Sequence, residues 1–170
     1  MVNSVNKQIK GIIQSIHNLL HNKVVLLESY WDSMNRMLQD LQNDRTDPLE
    51  AYTENHDSIF DLLKETDREI DVLVNALNPA SAEIVRDLLT SRLSSSDCPD
   101  WAKDLLLVFS SLTSCVNRCI NLNKACSDIL SESLKATKNN ILKSNKTSTA
   151  YNYYMHSRPT ETGMLLDIKE

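Results

Sequence analysis

A chain of 170 residues with a net charge of −5 is the size of one domain, and its acidity excludes a non-specific nucleic-acid binder, which needs a basic face to displace counterions. Hydrophobic residues at 41% and charged residues at 24% are ordinary globular usage, so wholesale disorder is excluded as well. Only two glycines (Gly11 and Gly163) and 5% aromatics argue against a sheet, and the apolar content of Leu, Ile, Val and Met suits long helices.

The first predicted helix covers Val2–Gln42. Val5, Ile9, Ile12, Ile16, Leu20, Val24, Leu27, Trp31, Met34, Leu38 and Leu41 recur every three or four residues, which keeps them on one helical face. At 1.5 Å per residue such a helix reaches roughly 60 Å. Asp47 then offers an N-cap, with Pro48 at the first helical position and Glu50 three residues after the cap. The second stripe reads Leu49, Tyr52, His56, Ile59, Leu63, Thr66, Ile70, Leu73 and Leu77, a heptad seam with two polar members, ending at Asn78-Pro79.

Ile84, Val85, Leu88, Leu89 and Leu93 predict a shorter helix of three to four turns, broken at residues 94–99. A second long helix follows from Pro99 to about Leu142, capped by Asp97 or Cys98. Its seam is Leu105, Val108, Leu112, Cys115, Cys119, Leu122, Cys126 and Ile129, and Phe109, Val116, Ile120, Leu130 and Leu134 widen it. A face that broad requires more than one neighbour. The expected fold is therefore all-α: an elongated antiparallel helical bundle or coiled coil with two long helices and shorter ones between them. The predicted bundle covers residues 1–142, and a flexible tail covers 143–170.

The tail opens on a polar stretch, residues 143–149, without periodicity. Two apolar clusters follow: Tyr151, Tyr153, Tyr154 and Met155, then Met164, Leu165, Leu166 and Ile168. The tail's net charge is +1 against −6 for the remainder. Tyrosine and methionine in a polar segment suit a partner groove, so these eight residues are the expected partner-binding site. The competing reading is a terminus that is idle or docks on the bundle.

Catalytic and metal signals are weak. His17 and His21 lie four residues apart, but no third ligand is near on that face, and Cys115, Cys119 and Cys126 fall on the buried seam as small hydrophobes. No Glu-x-x-His pair, glycine-rich phosphate loop or Gly-x-Ser-x-Gly motif occurs. The expectation is a non-enzyme without cofactor or metal. No uninterrupted apolar run approaches the ~20 residues of a membrane span, and the polar residues Asn3, Ser4, Asn6, Lys7 and Gln8 break any signal-peptide pattern. A cytoplasmic location with reduced thiols is expected.

Several stretches carry a family resemblance. They are Leu19-Leu20 with Leu26-Leu27-Glu28, the helix opening Asp47-Pro48-Leu49-Glu50, Ile59-Phe60-Asp61-Leu62-Leu63-Lys64-Glu65, and a tail beginning between Asn139 and Tyr151. Taken with the helix order, they resemble the FlgN family of bacterial flagellar export chaperones. The resemblance implies a cytosolic, nucleotide-independent chaperone that holds hook-filament junction proteins by their helical termini and delivers them to the export apparatus. It places substrate binding on the tail clusters at 151–155 and 164–168. A self-associating coiled-coil scaffold is the alternative; a chaperone should be monomeric or a weak homodimer, a scaffold a stable oligomer.

Overall fold

The computed structural model describes residues 2–156, with side chains from 9 to 147. Among the described residues there are four α-helices and no strand: α1 (Val2–Gln42), α2 (Leu49–Asn75), α3 (Pro79–Leu89) and α4 (Lys103–His156), the last entered through a 3₁₀ turn at Asp100–Ala102. The chain divides into two compact units, Met1–Ile129 and Leu130–Glu170.

In the first unit, α1 and α2 are antiparallel. Tyr52 donates to Asp40 at 2.7 Å, His56 Nε2 lies 3.0 Å from Ser33 Oγ, and Lys23 pairs with Asp67, so partners move down α1 as they move up α2. The α2 seam is used here: His56, Ile59, Leu63, Ile70 and Leu77 are buried, with Val74 added. Tyr30 fills the middle of this interface, edge-on to His56 at 4.6 Å and tilted against Phe60 at 5.1 Å. The buried row of α1 is otherwise the predicted one, through Ile16, Leu20, Val24, Leu27, Met34 and Leu41. Trp31, expected in that row, is half-buried instead and lies under the Arg118 guanidinium, 5.1 Å from its ring centre.

The two long helices pack strongly together, but they run parallel rather than antiparallel as expected. Cys119 Sγ reaches the carbonyl oxygen of Leu27 at 3.5 Å, and Cys126 Sγ that of Met34 at 3.9 Å. Both partners advance by seven residues together, which only parallel helices allow. The connection explains the direction. Ile9, His17, Asn78, Ser81, Trp101 and Leu105 line one cleft, so α3 and α4 both start near the N-terminal half of α1. Leu88, Leu93, Phe109 and Asn117 line one groove, so α3 climbs beside α4 and residues 90–99 return the chain to the lower end.

Helix ends are set by local chemistry. Asp44 (φ 56°) and Ser91 (φ 57°) take the left-handed conformation after α1 and α3. In each case the next amide bonds back five residues, Arg45 N–H to Asp40 C=O at 2.9 Å and Arg92 N–H to Asp87 C=O at 2.7 Å. This is the Schellman arrangement with Asp and Ser where glycine is usual. The expected capping box at Asp47 does not form: Pro48 occupies the cap position without a side-chain hydrogen bond, and α2 begins one residue later. The cap that does form is Asn78, whose side chain accepts from Ser81 N–H at 2.9 Å ahead of Pro79 at the helix start.

The second unit contains the remainder of α4, helical from 130 to 156. The predicted stop near Leu142 is absent, and residues 143–149 continue the helix instead of forming a linker. No proline or glycine occurs between Pro99 and Pro159. Ser, Thr and Asn each cost only a fraction of a kcal/mol, below ~1 kcal/mol, in a helix. Thr147 returns its hydroxyl to Lys143 C=O at 2.9 Å, which satisfies it within the helix.

Candidate partner-binding surface

The helical backbone over 130–156 places successive side chains about 100° apart around its axis. Leu134 and Ile141, seven residues apart, share one face, with Leu142 beside them; they are 70%, 55% and 49% exposed. Every described residue from 131 to 147 is exposed. Lys135, Lys138 and Lys146 fall along one flank of this apolar row, and the segment 130–156 carries four lysines against one carboxylate. An amphipathic, basic face of this kind suits burial against an apolar strip with acidic borders.

The predicted site residues stand as follows. Tyr151, Tyr153, Tyr154 and Met155 belong to the helical backbone of α4, and their side chains lie outside the described residues. Met164, Leu165, Leu166 and Ile168 lie outside the described residues altogether. Sequence spacing does not single out Leu134, Ile141 and Leu142 as binding residues. The signal was there in the apolar spacing past Leu130, but spacing alone does not tell a covered row from an open one.

Elsewhere the chemistry is quiet. His17 is half-buried with its Nδ1 unpartnered, His21 is exposed, and no group of three potential metal ligands occurs among the described residues. The four cysteines are free and buried. Burial, reinforced by neighbouring Cys115, pushes the Cys119 thiol up to about 11, and burial also raises Cys126 and Cys98. A reactive thiol requires the opposite shift. Within Asp100–Thr147, an 18-residue window averages a mean hydropathy of 1.4, so by length and composition α4 is apolar enough to cross a membrane. The expectation from uninterrupted apolar runs misses this, because a window average tolerates interspersed polar residues. Leu105, Leu112, Cys115 and Cys119 from this helix are buried in the bundle.

No family model matches the chain, and no curated protein or solved structure matches it.

Proposed function

We propose that the chain is a cytoplasmic protein-binding factor that holds an amphipathic helix of a partner along the C-terminal half of α4. The observation that carries this reading is the open row of Leu134, Ile141 and Leu142 on a helix whose described residues past Leu130 are all exposed. Most helical stability in proteins comes from packing an amphipathic face, and a partner that covers the row contributes about 25 cal/mol per Å² of apolar surface removed from water. The resemblance to flagellar export chaperones supplies the specific form: hook-filament junction proteins as partners, bound without catalysis or cofactor, with Tyr151, Tyr153, Tyr154, Met155, Met164, Leu165, Leu166 and Ile168 extending the site. The scaffold alternative draws less support, because the α2 seam it would use is covered by α1.

The test is a fluorescence-anisotropy titration of a labelled helical peptide from the C-terminus of a hook-filament junction protein. The full chain should bind saturably, and Leu134→Asp with Ile141→Asp should weaken binding more than tenfold, ~1.4 kcal/mol or more, without lowering the melting temperature. Tyr153→Ala with Tyr154→Ala should act in the same direction. Equal affinity in the Leu134/Ile141 variant removes the site assignment; no binding by the unaltered chain removes the family reading.

A further inference from the structure

The outer side of the α1–α2 pair carries a second open surface. A groove of about 660 Å³ lies there with Leu19, Val72 and Leu73 along it and Glu65, Arg68 and Glu69 at its border. Val72 is 68% exposed and Leu62, further along α2, 50%. The acidity is not local to the groove: α2 carries eight carboxylates against two cations.

Two such faces cannot pair with each other, since like charges would be brought together at the border. Two copies of the 130–156 helix are no better matched, with four lysines against one carboxylate on each. The groove and the helix fit one another in apolar content and in sign. We propose that the α1–α2 groove of one copy receives the 130–156 helix of a second copy, with Glu65 and Glu69 facing Lys135 and Lys138 across an apolar strip of Leu19, Val72 and Leu73 against Leu134 and Ile141. A pair of copies that exchanges both helices makes the contact twice. Two helix-in-groove contacts can reach the interface area of stable specific complexes, on the order of 1,600 Å². The dimer covers the row assigned above to a partner helix, so partner and second copy compete for it. The inference stands without the partner's identity, since it concerns the chain alone.

Light scattering and sedimentation equilibrium on the full chain test it. A concentration-dependent dimer is expected at low salt, weakened several-fold or more as the ionic strength rises and the charge pairs are screened. Glu65→Lys with Glu69→Lys places a basic groove against a basic helix, and Lys135→Glu with Lys138→Glu places an acidic helix against an acidic groove. Each variant alone should be monomeric at concentrations where the unaltered chain is dimeric. Mixed together, the two variants should form a heterodimer, because both contacts then regain opposite charges. All four side chains are exposed, so the folds should melt normally. A chain that is monomeric at every concentration at low salt, a dimer indifferent to these reversals, or a mixture that stays monomeric overturns the proposal. Peptide binding in the titration described above is read separately, so either result can fail without the other.

Discussion

Leucines spaced along α4 give a graded test of its burial. Leu105 is 1% exposed and Leu112 6%, Leu122 is half-buried, and Leu134 is 70% exposed. Leu→Ala removes roughly three carbons, each worth about 0.8 kcal/mol when buried. A residual cavity adds a further cost where neighbours cannot collapse. Leu105→Ala and Leu112→Ala should therefore cost about 3–5 kcal/mol each. Leu122→Ala, which seam spacing alone would place in the core, should cost only about 1–2 kcal/mol, because part of its surface is already wet. Leu134→Ala should fall within about 0.5 kcal/mol of the unaltered chain, as exposed substitutions do. Urea titrations followed by far-ultraviolet circular dichroism measure all four, and an unchanged m-value in each certifies that the comparison is of stability. A cost at Leu122 matching that at Leu105 would mean that α4 is rotated from the face described. At concentrations where the chain is monomeric, a cost above about 1 kcal/mol at Leu134 would mean that its row is covered within the monomer.

Gly11 lies inside α1 with open space where a side chain would point, so Gly11→Ala should raise stability by about 0.5–1 kcal/mol in the same titration. Burial holds His56 below its ordinary value, against the pull of Asp57; the folded state thus binds fewer protons than the unfolded one, and stability should fall as pH drops below the ordinary histidine value near 6.5. His56→Gln should flatten that decline, and an equally steep decline in the variant would locate the proton uptake elsewhere. Cys115, Cys119 and Cys126 should react slowly with thiol reagents in buffer and rapidly in urea, since burial shields all three and keeps Cys119 and Cys126 protonated; fast labelling in buffer would contradict the α1–α4 packing.

Much of the bundle was legible from periodicity. Ile16 through Leu41 and His56 through Leu77 follow spacings that a single stripe reveals. The Tyr30 and Trp31 exchange shows where a stripe stops being informative. α1 meets two neighbours, so adjacent residues serve different ones: Tyr30 packs on α2 while Trp31 lies under Arg118 of α4. The direction of α4 was not legible for a related reason, because spacing identifies the buried face and is silent on which way the neighbour runs. Helix limits depended on bonds that composition does not determine. Asp47 looked the better cap, yet Asn78 makes the cap bond, and a polar run at 143–149 without glycine or proline stayed helical. The open row at Leu134 and Ile141 needed coordinates, since an apolar face reads the same in sequence whether or not a neighbour covers it.

The reading of α4 as a holder of partner helices is tested most directly by hydrogen exchange of the full chain with and without the junction-protein peptide. Amides from 130 to 156 should gain protection on binding, while the α1–α2 interface around Tyr30 and His56 stays unchanged. Protection confined to residues 9–129, with 130–156 exchanging as fast as in the free chain, would contradict it.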